Sequence, residues 1–127
     1  MNPIDLAAVL ATFTEPWAPR TVATLNDYDV RVVKTIGDEF PRHNHEETDE
    51  LFLVLTGALT IRMDAGDVDL VPGDLYVVPR GVYHQPVSLD GAEVLLIEPS
   101  ATVNTGDTSS EFTRRPVVIP ASDESRT

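Results

Sequence analysis

The sequence predicts an all-β protein, an antiparallel β-barrel or sandwich with a short N-terminal helix. From Thr21 onward, short β-branched and aromatic runs are broken by turn residues every 8 to 12 positions, the sequence form of such a sheet. Apolar residues at helical spacing occur only near the start, at Leu6, Leu10 and Phe13. The chain has 127 residues, 42% hydrophobic and 24% charged, which suits one soluble domain with one core.

Taken in order, residues 1–20 form a helix and its connection. Asn2 reads as the cap, Pro3 as the first helical position and Asp5 as a carboxylate near the positive end. Pro16, Trp17 and Pro19 close the segment. Strands are expected near 21–25, 28–36, 39–45, 50–56, 58–63, 67–71, 75–79, 83–88 and 92–98. Turns fall at Asn26-Asp27, Thr56-Gly57, 65–67, 72–74 and Asp90-Gly91. The barrel occupies 21–107. A C-terminal extension over 108–127 adds an edge strand at 116–120 and ends in a polar, disordered 121–127.

The chain has three histidines, and their spacing carries the chemistry. His43 and His45 lie two apart, so an extended backbone presents both imidazoles to one side. Glu50 follows five residues later and His84 sits on a distant strand-like run. Imidazole nitrogens and a carboxylate oxygen suit a borderline divalent metal. Phe52 and Pro86 lie two residues beyond Glu50 and His84, so alternation turns them toward the same cavity. Arg62 and Arg80 are candidates to meet an anionic ligand. Glu46, Glu47 and Asp49 read as a solvated turn, with Glu46 or Glu47 replaceable by Gln without loss of metal.

Around these residues the glycines and prolines repeat a pattern. Gly37, five residues, His43, one residue, His45, four residues, Glu50, six residues and Gly57 reproduce the first cupin motif. Gly73, five residues, Pro79, one residue, Gly81, two residues and His84 reproduce the second, with Ser88 where Asn often stands. Asn26-Asp27-Tyr28, Val78-Pro79-Arg80-Gly81-Val82 and Ile97-Glu98-Pro99 with Val103-Asn104-Thr105-Gly106 extend the likeness over residues 13–107. The chain thus resembles the small single-domain bacterial cupins often labelled mannose-6-phosphate isomerase-like. That resemblance implies a jelly-roll barrel holding one divalent ion, Mn, Fe, Ni, Cu or Zn, through His43, His45, Glu50 and His84. It leaves dioxygenase, isomerase and lyase chemistry open beside a non-catalytic binding role, with a small molecule as ligand.

Composition removes other classes. With 21 acidic against 9 basic residues the net charge is -12, which disfavours nucleic acid and anionic membrane surfaces. No cysteine is present, so thiolate metal sites and thiol nucleophiles are absent. A single lysine offers little cradle for a sugar phosphate, and no signal-like or spanning run occurs, so a cytoplasmic protein is expected. A homodimer is expected as well, because the apolar face of residues 6–13 and Trp17 needs cover.

Overall fold

The computed structural model describes residues 2–119. Its elements run α1 (Leu6–Leu10), β1 (Arg20–Leu25), β2 (Tyr28–Gly37), β3 (Glu50–Gly57), β4 (Leu59–Met63), β5 (Val68–Leu70), β6 (Leu75–Val78), β7 (His84–Pro99) and β8 (Val117–Val118). The architecture is the expected jelly roll. Its sheet curls without closing its hydrogen-bond ladder, in the order β5-β4-β7-β2-β1-β8, with β3 on β7 and β6 on β3.

One strand organises the molecule. The sequence suggests two strands at 83–88 and 92–98 parted by a turn at Asp90-Gly91, whereas β7 is continuous through that point. Its first residues pair with β4, Met63 opposite His84, and its last eight lie between β2 and β3. Asp90 and Gly91 therefore bend the strand between layers instead of reversing it. Gly91 has φ 92, and a Cβ on Gly57 would collide with its carbonyl, so the crossing needs both glycines. Asn26-Asp27 is a true two-residue hairpin turn, with Leu25 paired to Tyr28 and Asn26 at φ 55.

Three further expectations are corrected. The helix starts later than the sequence suggests: Asp5, not Asn2, caps it, accepting from the Ala8 amide, and Pro3 lies outside. The segment 39–45 is extended but is not a sheet strand. Pro41 has no N–H to give a ladder, and the segment's only pairing is an isolated bridge between His43 and His84. It is held instead by Gln85, whose Nε2 donates to the carbonyls of Asp38 and Phe40. The apolar face of the first segment needs no partner chain, since Leu10 and Phe13 pack on Val22 and Val32, and Trp17 is buried.

Two apolar layers result. Val33, Phe52, Val54, Leu59, Ile61, Val94 and Leu96 fill the barrel, while α1 covers the outer face of β2. The edge strand forms as β8, parallel to β1, with Arg20 opposite Val117. The segment 121–127 lies outside the described residues. No described helix is long and apolar enough to cross a membrane.

Candidate metal centre

Four side chains from three separate stretches converge inside the barrel. His43 and His45 come from the extended 39–45 segment, Glu50 opens β3 and His84 opens β7. Their candidate ligand atoms lie within 4.8 Å of one another, and all four residues are buried. Paired backbone bonds lock the two stretches together, His43 N to His84 O at 3.0 Å and His84 N to His43 O at 2.9 Å. Gly81 N donates to His45 O, fastening the turn before His84 to the same segment.

The ring orientations test whether a cation fits. His43 Nδ1 lies 2.8 Å from Pro41 O, and His84 Nδ1 lies 2.9 Å from Val82 O. A carbonyl only accepts, so both rings carry a proton on Nδ1 and turn the Nε2 lone pair inward. Carbonyls in this role fix the tautomer of ligating histidines. His84 Nε2 then faces Glu50 Oε1 at 3.2 Å and His45 Nε2 faces it at 3.3 Å. Acceptors that close repel unless protons or a cation lie between them. Buried His45 Nε2 has no hydrogen bond of its own, as expected of an atom reserved for a metal. The donor set therefore fits a borderline divalent ion.

Electrostatics agree. Burial, then the neighbouring His84, hold His43 at about 4, so its imidazole is neutral at pH 7, the form that ligates. Burial works against charge on Glu50, but the close imidazoles of His45 and His84 outweigh it and keep the carboxyl below the usual range. Register places Asp29, Glu98 and Glu50 on adjacent strands, since Asp29 pairs with Glu98 and Leu51 with Ile97. Burial, followed by the charge of Glu50, pushes Glu98 well above the usual carboxylate range despite Arg31.

Arg31 is itself buried and forks between Glu98, at 2.8 Å, and Asp29, at 3.1 Å. Its remaining donors reach the carbonyls of Ser100 and Thr102 and, from Nε, the hydroxyl of Thr21. This buried guanidinium thus serves two of the interior's carboxyl groups, Asp29 and Glu98, and leaves Glu50 to the histidines. Asp29, Arg31 and Glu98 are not marked as site residues by the sequence. Their signal is charge at alternate positions of apolar strands, inward with Val33 on β2 and with Val94 and Leu96 on β7.

A cavity of about 40 Å³ opens beside the cluster, touching His43 and Glu50. Phe52 and Pro86 line it with Trp17, Phe40, Leu59 and Leu96, and its other polar lining is Thr35, Glu98 and Asn104. Trp17, which the sequence suggests only as a helix terminator and a covered face, stacks on Phe40 at 4.6 Å and donates its indole N–H to Ile36 O. Arg62 is not brought here: Ile61 points inward and Arg62 outward, exposed. Arg80 is exposed too, its amide capped by Asp49 at 2.9 Å. Glu46 and Glu47 are exposed on the turn. Tyr83 points away from the site onto Asp107, and Ser88 at the motif's end bonds Ala58 O.

A curled jelly roll with three inward histidines and one glutamate defines a small barrel protein built around a cluster of candidate metal ligands. The chain belongs to the cupin family, whose cupin domain model matches residues 30–98. A cupin-2 domain containing protein from Shewanella frigidimarina superposes with a TM-score of 0.74 at 36% identity, over 76% of this chain and 93% of that one. The uncharacterised YdbB of Bacillus subtilis is 33% identical over 82 residues, 64% of this chain and 72% of that protein. Quercetin 2,3-dioxygenase of Bacillus subtilis is 42% identical over 48 residues, 38% of this chain and only 14% of that protein.

Proposed function

We propose that this cupin is a mononuclear divalent-metal enzyme acting on a small oxygen-rich molecule, neutral or carboxylate, by dioxygenase, isomerase or lyase chemistry. The observation that carries this reading is the buried cluster of His43, His45, Glu50 and His84 opening on a cavity. These four residues would hold the ion, which supplies Lewis acidity toward a ligand oxygen. Phe52, Leu59, Val94 and Leu96 keep bulk water from the cluster, and Trp17 and Phe40 form an aromatic wall against which a ligand rests.

No lysine or arginine lines the cavity, which argues against a phosphorylated sugar. The likeness to quercetin 2,3-dioxygenase favours oxygen chemistry, while the small cavity argues for a ligand smaller than a flavonoid. A non-catalytic binding module is the second reading, because only Glu98 joins His43 and Glu50 as a titratable residue lining the cavity. The test is turnover by Fe(II)- or Mn(II)-loaded protein across small diols, hydroxy acids and enols, against His84→Ala. Consumption by the wild type alone supports the enzyme. Binding without consumption supports the module.

Location in the cytoplasm and pairing of two chains belong to the same reading. Leu51 and Leu53 point outward from β3 and continue through Val77 and Leu75 on β6 and Ile97 and Leu95 on β7. Leu75 and Val77 are exposed, and α1 does not extend over this part of the sheet. A second copy is the partner we assign to it.

A further inference from the structure

Trp17 is held in a backbone conformation that suits glycine. Its φ is 60, and among the described residues other than glycine only Asn26, in a hairpin turn, also has a positive value. Asparagine tolerates this region, whereas a bulky side chain there is a genuine outlier that its surroundings must hold in place. Glycine would serve the backbone at this point without that cost, so the ring is what the chain retains.

The surroundings fix the ring from several sides. The Trp17 amide donates to Lys34 O at 2.7 Å and the indole N–H to Ile36 O at 3.1 Å, which ties both to β2. Asn104 Nδ2 donates to the Trp17 carbonyl at 3.4 Å. The indole stacks on Phe40 at 4.6 Å, and Phe40 in turn meets His43 edge to face at 5.6 Å and is backed by Phe112 at 5.9 Å. Trp17 is 5% exposed and cannot turn aside without breaking these contacts.

The indole lines the same cavity as His43 and Glu50, one aromatic ring removed from His43. At about 40 Å³ the cavity has room for roughly three water-sized groups. Ligand oxygens directed at the cluster occupy part of that room. The indole has no free polar group for the ligand's other end, because its one N–H is given to Ile36 O. What meets Trp17 must therefore be short and apolar.

We propose that Trp17 is the residue that sets ligand size: its indole closes the cavity beyond Phe40 and admits only a ligand with oxygen donors at one end and no more than a methyl group at the other. This rests on the metal-site reading and narrows its substrate class. The class is short aliphatic oxygen ligands, such as 2-hydroxy or 2-oxo acids that end in a methyl group. The same headgroup carrying a ring is excluded.

Acetohydroxamate and benzohydroxamate test this, with the d–d bands of cobalt(II)-loaded protein reporting binding. The two share a chelating headgroup and differ as methyl against phenyl. Without a size limit the phenyl compound binds at least as well, since its ring adds apolar contact. The wild type should instead bind acetohydroxamate about tenfold or more tightly. In Trp17→Gly, which suits the same φ, the preference should vanish or invert while the bands without ligand stay unchanged. Equal binding of the two compounds by the wild type would overturn the inference. A preference of the same size in Trp17→Gly would put the limit at another wall and also overturn it. If neither compound moves the bands, the open metal site fails and the inference with it, whereas bands that move without a size preference strike the inference alone.

Should Trp17→Gly not fold, the wild type still decides. Trp17 is the only tryptophan of the chain, so the emission of zinc(II)-loaded protein reports on this wall directly. Saturating acetohydroxamate, with saturation fixed by calorimetry on the same sample, should change that emission. Unchanged emission would place the ligand away from the indole and overturn the assignment.

Discussion

A Cβ at Gly106 would run into the backbone carbonyl of Asn44 and stand 2.9 Å from the His43 ring. The glycine also holds φ 56, which side-chain-bearing residues rarely adopt. Its neighbour Asp107 clamps the same stretch, its amide donating to Asn44 O and its Oδ1 accepting from Asn44 N, both at 3.0 Å. Gly106→Ala should therefore displace His43 and weaken metal binding by an order of magnitude or more, a loss comparable to that from removing an outer-shell partner. Isothermal titration with Zn(II) reads this directly. Glu46→Gln and Glu47→Gln, on an exposed turn, should leave the same titration unmoved.

Titration at the site has a signed consequence for the metal-free protein. An unfolded histidine takes up its proton near 6.5, but folded His43 resists until about 4. Stability is therefore lost as pH falls through that window, by up to about 3 kcal/mol for His43 alone. Glu50, held below its ordinary 4.5, adds a loss of the same sign at lower pH. Glu98, held above 4.5, has the opposite sign: it favours the folded state at low pH and costs stability as pH rises. Glu98→Gln should thus steepen the fall in melting temperature between pH 6.5 and 4.5. A slope equal to the wild type's would refute this assignment of signs.

At the scale of elements, β7 decides the site because one strand carries His84 at its start and Glu98 near its end. Gln85, on the opposite side from His84, ties down the 38–40 stretch that leads into His43. Gln85→Leu should loosen that stretch and show faster amide exchange at 42–45 with β2 and β3 unaffected. Leu10→Ala, beneath α1, should cost about 2–5 kcal/mol in urea unfolding, as buried leucines generally do. It should leave the metal titration unchanged.

Much of this was legible in the sequence, for a specific reason. His43, His45, Glu50 and His84 stand out by donor type and spacing, and the structure brings them into one buried cluster. The i and i+2 argument for His43 and His45 reached the right face although 39–45 forms no sheet strand, since an extended backbone alternates with or without a ladder. Glu98 and Arg31 were hidden because their roles depend on register between β2, β3 and β7, which no local pattern encodes. Trp17 was hidden for a similar reason: only the fold brings it onto Phe40. Asp90-Gly91 misled because a turn dipeptide and a strand bend use the same residues.

For the whole molecule, the net charge of -12 and the uncovered outer face make opposing demands. Leu51, Leu53, Leu75 and Val77 form an apolar strip on paired strands, and Arg80 lies beside Glu47 and Asp49 at its edge, so a second copy can cover the strip. Sedimentation should show a dimer at micromolar concentration in 150 mM salt, and Leu53→Arg should yield a monomer that still binds metal. A monomeric wild type would end this assignment.

The central claim is that His43, His45, Glu50 and His84 hold one divalent ion, and metal content is its most direct measure. Elemental analysis of protein purified without a histidine tag should find about one divalent transition metal ion per chain, and none in His84→Ala of intact fold. Wild-type protein that carries no such ion, even after incubation with Mn(II), Fe(II), Ni(II), Cu(II) or Zn(II) and desalting, would contradict the account.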